Sequence, residues 1–280
     1  MAAGKIRIVT AFWFSATGTT RKVCETVARA AADALGAEYA SRSFNAPEAR
    51  KQEYRFGPDE LVVFGLPTYA GRIPNLILPF VRDCVKGERT PAVPVVLYGN
   101  RDFDDALIEL RDVLAGNGFV PIAAGAFVGE HAFSRTLGAG RPDAEDLSEA
   151  EGLAALAVKR IRVSEKEGLP ERPVEVAGCE PVRPYYTPRD RFGSPIDIRK
   201  VKPKTDPERC VRCGLCASVC PMGSIDPEDV SAVTGVCIKC CACVKRCPTG
   251  AKYFDDKGWL YHRSELEEVY GDKRAENRCF

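Results

Sequence analysis

Nine of the thirteen cysteines in this 280-residue sequence lie between Cys210 and Cys247. All nine lie in two segments, CVRCGLCASVCP and CIKCCACVKRCP, and eight of them follow the shared spacing C-x2-C-x2-C-x3-C-P. The second segment begins at Cys237, 27 residues after the first, and the same offset aligns Pro221 with Pro248. Cysteines concentrated in one region indicate bound metal, whereas a disulfide framework would spread them along the chain.

This spacing is typical of cysteines that bind four-iron clusters. Three thiolates, each two residues apart, bind one [4Fe-4S] cluster, and the fourth cysteine of each segment ligates the other cluster. The repeat therefore predicts two ligand sets. One set is Cys210, Cys213, Cys216 and Cys247, and the other is Cys237, Cys240, Cys243 and Cys220. A pair of zinc sites is the alternative, but zinc ribbons place a longer loop between two C-x2-C pairs.

The second segment contains one more cysteine, Cys241. In the register of the repeat it aligns with Gly214, which is not a ligand position. We therefore predict that Cys241 fills a place that needs a small residue, and the alternative is a spare ligand that could replace Cys240. Four cysteines lie outside the repeat and are predicted to be ordinary small apolar residues: Cys24, Cys84, Cys179 and Cys279.

The rest of the chain must position these groups, and its first 168 residues alternate strand and helix patterns. Strands are predicted at 6–12, 38–43, 61–64, 93–98 and 119–127, with helical spacing at 23–35, 76–80, 107–114 and 153–161. Pro74 is predicted in the first turn of the second helix. Several strands are continuously apolar, as strands covered on both faces are. The order predicts an α/β fold with a doubly wound, parallel, five-stranded sheet.

Three further regions follow. Residues 169–205 carry frequent prolines and no sustained period, which predicts an extended connector. Residues 206–256 hold the cysteine repeat and are predicted to form a small α+β domain. Residues 257–280 are predicted to be a tail with a short helical pattern at 264–270.

The first strand ends in FSATGTT, directly before a helix. Ser15, Thr17, Thr19 and Thr20 place hydroxyl groups there, and Gly18 offers an unobstructed backbone N–H. Donors at a helix N-terminus favour an anion. Neither the lysine of a nucleoside triphosphate loop nor a G-x-G-x-x-G pattern is present. The loop therefore predicts a terminal phosphomonoester held by neutral donors, and an ordinary N-capped turn is the alternative.

Two more loops follow the third and fourth strands: GLPTYAGRIPN and YGNRDFDDA. Ligands of open α/β sheets bind beyond the carboxyl ends of the strands, where these loops meet the phosphate loop. The first loop offers Tyr69 as a stacking ring, and the second offers Phe103 as another ring with Asn100 and Arg101 as donors. A phosphate loop and two rings predict a flavin mononucleotide (FMN) site. The predicted binding residues are Ser15, Thr17, Gly18, Thr19, Thr20, Pro67, Thr68, Tyr69, Ala70, Gly71, Gly99, Asn100, Arg101 and Phe103.

These motifs carry a resemblance to known families. Residues 206–256 resemble bacterial two-cluster ferredoxins, and residues 5–165 resemble the flavodoxins. The flavodoxin phosphate loop, Ser/Thr-x-Thr-Gly-x-Thr, is matched by Ser15, Thr17, Gly18 and Thr20, with Thr19 in place of the frequent Asn. The segments GEHAFS and KPKTDPERCVRCGLCA add a similarity to the fused flavodoxin–ferredoxin proteins of anaerobic bacteria.

This resemblance implies one FMN, flanked by loops 67–72 and 99–103, and two [4Fe-4S] clusters on one chain. The chain departs from ordinary flavodoxins in charge, because Arg72 and Arg101 lie on a cofactor face that is acidic in those proteins. Docking to the usual flavodoxin partners is therefore in doubt.

The combination predicts a low-potential electron-transfer protein that passes electrons between FMN and the clusters. The alternative is an FMN-dependent oxidoreductase that reduces a small substrate or a protein-bound cofactor with electrons from the clusters. His131, one of only two histidines, is the candidate proton donor of such an enzyme, or else a loop residue bonded to backbone. The connector segment RPYYTPRDR is predicted to be a solvated linker, and its alternative is to fold back over the flavin edge.

The composition limits the classes of binding partner that we expect. Forty basic and thirty-nine acidic residues give a net charge of +1, which disfavours nucleic acid or an anionic membrane as the main partner. No apolar run reaches the roughly 18 residues of a membrane span. We therefore expect a cytoplasmic protein whose partners are redox proteins of the ferredoxin type, and a homodimer is one expected assembly.

Overall fold

The computed structural model describes residues 5–280, so residues 1–4 of the predicted first domain lie outside the described part. Its strands are β1 (Ile8–Trp13), β2 (Glu38–Ser43), β3 (Tyr54–Phe56), β4 (Glu60–Pro67), β5 (Val85–Gly87), β6 (Thr90–Tyr98), β7 (Phe119–Pro121), β8 (Gly125–Val128), β9 (Lys204–Thr205), β10 (Lys252–Tyr253) and β11 (Arg278–Cys279). Its helices are α1 (Thr19–Leu35), α2 (Leu78–Cys84), α3 (Ala106–Gly116), α4 (Ala144–Glu167), α5 (Leu215–Ser218), α6 (Ala242–Arg246) and α7 (Lys257–Tyr270). Within residues 5–280, no helix combines the length and apolarity needed to cross a bilayer.

Five parallel strands form the centre of the first domain, in the order β2-β1-β4-β6-β8. This is the flavodoxin-like order, in which the chain changes direction across the sheet between β1 and β4. The prediction of a doubly wound parallel sheet is confirmed. The loops that follow β1 and β4 therefore flank the switch point, where such sheets bind their ligands.

The two faces of the sheet carry separate apolar cores. Helices α1 and α4 pack on one face, and α2 and α3 pack on the other. The predicted helical spacing places Val23, Val27 and Ala31 in the first core with no exposed surface. Packing is close enough to require glycine on β4, since a Cβ at Gly65 would lie 2.1 Å from Cys24 Sγ.

Two predicted elements differ from the structure. The second helix begins at Leu78, with Pro79 in its first turn, while Pro74 starts a preceding turn by accepting hydrogen bonds from the N–H groups of Ile77 and Leu78. The fifth strand is divided into β7 and β8, both of which pair with β6. Pro121 ends β7, and proline has no N–H with which to continue a ladder.

The C-terminal tail is part of the first domain, which its short helical pattern did not predict. After α7 the chain returns to the sheet, where β11 pairs antiparallel with β8. The hydroxyl of Tyr98 donates to the carbonyl of Glu276, and Asn277 Oδ1 accepts from the N–H of Val128 at 2.9 Å. The tail thus covers the edge of the sheet that would otherwise be open.

The cysteine segments form a small unit that β9 and β10 close as an antiparallel pair. The 27-residue repeat recurs in the backbone, because equivalent residues adopt the same left-handed conformation. Their φ angles pair as Arg212 51° with Lys239 57°, Gly214 73° with Cys241 57°, and Gly223 59° with Gly250 66°. Residues other than glycine avoid this region unless the surroundings impose it.

Candidate functional site

Two cavities lie in the cysteine unit, and each is lined by four of the repeat cysteines. The outer cavity is lined by Cys210, Cys213, Cys216 and Cys247. The inner cavity is lined by Cys220, Cys237, Cys240 and Cys243, with Cys241 also on its wall. These are the two sets of four that the repeat assigns to two clusters.

None of the thirteen cysteines, all of which lie in the described part of the chain, is in a disulfide. Backbone N–H groups approach some of the sulfur atoms: Ala251 donates to Cys247 Sγ at 3.2 Å, and Ser224 donates to Cys220 Sγ at 3.4 Å. Hydrogen bonds of this kind tune the potential of a cluster. Within residues 5–280, no three His, Cys, Asp or Glu side chains are grouped to hold a single metal ion. A [4Fe-4S] cluster binds each of its four thiolates at a different iron.

The two cavities differ in exposure. Around the outer cavity Cys213 is exposed, as are the apolar side chains of Val211 (65%) and Leu215 (37%). At the inner cavity Cys240 and Cys243 are buried. We refer to residues 210–220 as the outer half and to residues 237–247 as the inner half.

The inner half packs against the loops at the carboxyl edge of the sheet. Cys240 and Ala242 form one buried apolar cluster with Ala16 of the phosphate loop, and Tyr69 packs against it. Ala242 has no exposed surface. A wall of the inner cavity is therefore shared with two of the loops predicted to hold FMN.

Polar contacts fix the cysteine unit to the same edge. Lys245 Nζ donates to the carboxylate of Glu130 and to the carbonyl of His131. Arg135 Nη2 donates to the carbonyls at the C-terminal end of α6, where cations are favoured. Arg50 donates to the carbonyl of Pro221, which belongs to the unit as well.

The predicted phosphate loop retains its free donors. Gly18 precedes α1 in a left-handed conformation (φ 103°), and no side chain caps the helix. Ser15 Oγ is buried without a hydrogen-bond partner, and so is Thr68 Oγ1 on the loop after β4. Because orphaned buried hydroxyls are costly, the loop fits an oxygen-rich ligand. Thr17, Thr19 and Thr20 surround the same helix N-terminus.

The loop after β4 forms a tight turn beyond Pro67. Tyr69 and Arg72 exchange two backbone hydrogen bonds, and the turn passes through Ala70 (φ 52°) and Gly71 (φ 77°). The ring of Tyr69 faces the inner half, and its burial there, followed by the nearby cysteines, raises its pKa well above the ordinary value. The Arg72 side chain turns away to the carboxylate of Glu109.

Two predicted flavin-binding residues of the loop after β6 are used elsewhere. The Asn100 side chain donates to the carbonyls of Tyr270 and Lys273 and accepts from the N–H of Ala275, so its amide fixes the C-terminal tail. Phe103 is 5% exposed and belongs to the core beside α3. The structure therefore places neither side chain free to face a flavin ring, while Gly99 and the backbone of Asn100 (φ 64°) stay at the edge.

The connector folds back over the loops, which was the alternative to the predicted solvated linker. The N–H of Tyr186 donates to the carbonyl of Ala70 at 2.8 Å, and the Arg101 guanidinium lies 4.9 Å from the Tyr186 ring centre while pairing with Asp104. Tyr185 donates to the carbonyl of Ile73. Tyr186 thus joins the two loops predicted to flank the flavin, through its backbone N–H to one loop and through its ring to the other.

A buried aspartate anchors this return. Asp105 accepts from the side chain of Arg183 at 2.7 and 2.9 Å and from the N–H groups of Cys179 and Arg183. The hydrogen bonds from Arg183 lower the pKa of Asp105 to about 2. Ionised Asp105 therefore holds the connector at neutral pH.

His131 lies where the sequence placed it, at the ligand edge after β8. Its ring packs directly on Gly99, since a Cβ there would lie 2.3 Å from His131 Cδ2. Nδ1 accepts from the N–H of Phe133 at 3.1 Å, so a neutral ring carries its proton on Nε2. Burial, and then the charge of Lys245, lowers the pKa of His131 to about 3.

Left-handed backbone concentrates at these two sites. Seven residues other than glycine have positive φ in the part of the chain that the structure describes. Three lie in the cysteine loops, and three lie in the loops after β4 and β6: Ala70, Asn100 and Asp104. Such conformations cluster at ligand sites because packing must impose them.

Several residues near the predicted ring site were not predicted from the sequence. Tyr186 was visible in RPYYTPRDR, but its contact with Ala70 was not. Trp259 and His262 on α7 pack against Phe133, with ring centres 5.1 and 6.3 Å away. No spacing signal links α7 to loops that lie more than a hundred residues earlier.

Comparison with known proteins gives one family match. Residues 203–226 match the model of the 4Fe-4S binding domain, which covers the outer half and supports a [4Fe-4S] cluster there. No curated protein matches the sequence.

Several solved structures are similar to part of the chain. A flavodoxin from the domain Archaea is 14% identical over 55% of this chain and 99% of its own (TM-score 0.40). The two-electron reduced flavodoxin of Megasphaera elsdenii is 17% identical over 54% and 98% (TM-score 0.37). The rubredoxin oxygen:oxidoreductase of Desulfovibrio gigas is 14% identical over 58% and 38% (TM-score 0.40).

Proposed function

We propose that this chain is a low-potential electron-transfer protein that carries two [4Fe-4S] clusters and one FMN. The observation that carries the proposal is the pair of four-cysteine cavities, of which the inner one shares a wall with the loops after β1 and β4. In the proposed ligand sets, Cys247 reaches from the inner half to the outer cluster and Cys220 reaches in the opposite direction.

The residues around the FMN loops fit the phosphate end of the cofactor best. The uncapped N-terminus of α1 and the unpartnered hydroxyls of Ser15 and Thr68 would hold the phosphate and adjoining oxygens. When bound, a flavin supplies chemistry that exchanges one or two electrons, whereas each cluster exchanges one. Tyr69, between the phosphate loop and Cys240, would keep the two cofactors close.

The order in which electrons would pass through the sites follows from the exposure of the residues around each cluster. Electrons would enter or leave at the outer cluster, because Cys213, Val211 and Leu215 are exposed around it. The inner cluster would link this surface to the flavin. Arg209 and Arg212 are also exposed there, beside the acidic side chains of Glu208 and Asp229. The two arginines would face an acidic redox partner of the ferredoxin type.

An oxidoreductase remains a second candidate, and the folded connector favours it. An exposed flavin edge would suit direct exchange between proteins, whereas Tyr186 and His131 cover the loops that would hold the ring. A small substrate would then meet the flavin under the connector, and neutral His131 would offer its Nε2 proton. Turnover of such a substrate by the reduced protein, lost in His131→Phe, would establish this candidate.

Anaerobic purification followed by cofactor analysis tests the proposal. We expect about eight irons, about eight sulfides and one FMN per chain, with broad absorbance near 400 nm. Two zinc ions and no visible absorbance would contradict it. Stopped-flow mixing should then show reduction by a reduced ferredoxin and no prompt reduction by NADH, because the sequence lacks a nicotinamide-binding fingerprint.

A further inference from the structure

Three nitrogen atoms on one face of α7 are buried without hydrogen-bond partners: Trp259 Nε1, His262 Nδ1 and Arg263 Nε. The residues are spaced i, i+3 and i+4, so their side chains lie together on one side of the helix. Trp259 is 3% exposed and His262 is 6% exposed. An unpartnered buried polar atom is costly, and three such atoms on one face indicate a missing ligand.

This face of α7 points toward the loops that the sequence assigns to the flavin ring. Trp259 and His262 pack on Phe133, whose ring lies 5.3 Å from the ring of His131, and His131 packs on Gly99. On the other side, the His262 ring lies 6.1 Å from the ring of Tyr186. That ring contacts Arg101, and the backbone N–H of Tyr186 donates to the carbonyl of Ala70. The orphaned atoms therefore lie among side chains that contact both ring loops.

The same face contacts the inner half. Trp259 and Cys241 belong to one buried cluster, in which the Trp259 ring stacks on Phe254 with centres 4.5 Å apart. A planar group bound against this face would lie between the inner cavity and the loops after β4 and β6. That is the position in which a ring could exchange electrons with the inner cluster.

We propose that α7 binds the heteroaromatic ring of the flavin, with Trp259 and His262 hydrogen-bonded to its polar edge. This inference rests on the proposed function. It assigns to Trp259 and His262 the ring-binding role that the sequence predicted for Asn100 and Phe103, whose side chains make other contacts. The Trp259 N–H is a donor only, which suits the carbonyl and ring-nitrogen acceptors of a flavin. Burial, followed by the charge of Arg101, lowers the pKa of His262 to about 4, so neutral His262 can donate or accept. Arg101 and Arg263 add positive charge, which stabilises an electron-rich ring.

The test separates binding of the flavin ring from binding of its phosphate. It uses the full-length, iron-loaded protein after the flavin has been removed. FMN and riboflavin are titrated separately, with flavin fluorescence as the readout. Trp259→Phe keeps the stacking ring but removes the N–H, and it should weaken both ligands by the same factor of about ten. Ser15→Ala, at the phosphate end, should weaken FMN and leave riboflavin unchanged.

Tyr261→Phe is the matched control, because it lies on α7 and loses only the hydrogen bonds that its hydroxyl accepts from the backbone N–H and Nε of Arg191. It should leave both affinities unchanged. Iron content and thermal unfolding of Trp259→Phe should equal those of the wild type. Unchanged flavin affinity in Trp259→Phe, or a loss of iron without a change in flavin affinity, would overturn the inference while leaving the proposed function intact. A wild-type protein that binds neither flavin would overturn both.

Discussion

The outer and inner halves of the cysteine repeat have the same ligand spacing and the same left-handed backbone positions, but different surroundings. Leu215 of the outer half is 37% exposed, whereas its repeat partner Ala242 has no exposed surface. Val211 is exposed, whereas its partner Ile238 is half-buried against the α/β domain. The motif determines what each half binds, and the packing around it determines which half meets a partner and which meets the flavin loops.

The difference also explains Cys241. Its repeat partner Gly214 lies at an open position, where an added Cβ would meet nothing within 4 Å. Cys241 has the same left-handed backbone but is 3% exposed and packs against Phe254 and Trp259. That this position needs a small residue stays a prediction, and in the inner half the Cys241 side chain contributes apolar packing.

Removing one ligand from each half should have the largest effect. Cys213→Ala and Cys240→Ala should each lose about four of about eight irons. Only Cys240→Ala should also weaken FMN binding, because Cys240 packs against Ala16 and Tyr69. Iron, sulfide and flavin counts on anaerobically purified variants check this. Equal flavin loss in both variants would remove the distinction between the halves.

Exchanging one pair of repeat partners tests the packing itself. Ala242→Leu places a large side chain in a filled space and should destabilise the protein by about 1–3 kcal/mol. Leu215→Ala changes an exposed position and should stay within about 0.5 kcal/mol of the wild type. Denaturant unfolding under anaerobic conditions measures both, and a larger cost for Leu215→Ala would contradict the assignment of inner and outer halves.

Acid should lower the stability of the folded protein, because both histidines are buried. Burial lowers the pKa of His131 to about 3 and that of His262 to about 4, from 6.5. Below pH 6.5 the unfolded chain therefore binds more protons than the folded one. Stability is complete above pH 6.5 and should fall by up to about 1.4 kcal/mol per pH unit for each histidine.

Unfolding by urea between pH 7 and pH 5.5 measures this slope. His131→Asn, which can keep an acceptor for the N–H of Phe133, should reduce the slope by about half. Stability that rises as the pH falls, or a slope that is unchanged in this variant, would contradict a lowered pKa for His131.

Reversing one charge on the outer half should have a smaller, salt-dependent effect. Arg212→Glu should slow electron exchange with an acidic ferredoxin about tenfold at low ionic strength, and the effect should shrink near 0.15 M salt. Lys159→Glu makes the same charge change on the exposed side of α4, far along the chain from the repeat. Equal slowing in both variants would indicate a net-charge effect without a docking surface.

Cys241→Gly should have the smallest effect. Glycine relieves the left-handed strain at φ 57°, while the loss of the side chain removes packing, and these changes oppose each other. Iron content should equal that of the wild type. A loss of iron would mean that Cys241 is a ligand and that the register of the repeat is wrong.

The sequence predicted the parts of this molecule that depend on local spacing. Cysteine register, apolar periodicity and the uncapped Gly18 turn are short-range patterns, and each appears in the structure. The roles of Asn100 and Tyr186 depend on contacts with residues more than a hundred positions away, which no local pattern records. Asn100 shows the ambiguity most directly, because a buried amide can bind either a cofactor or a returning segment of its own chain.

The most direct test of the account is the route of electrons to the flavin. Cys213→Ala, with its remaining iron and flavin counted, is mixed in a stopped-flow instrument with a reduced ferredoxin while flavin absorbance is followed. If electrons enter through the outer cluster, flavin reduction should be at least about tenfold slower than in the wild type, although the inner cluster and flavin are retained. Flavin reduction at the wild-type rate would contradict the account.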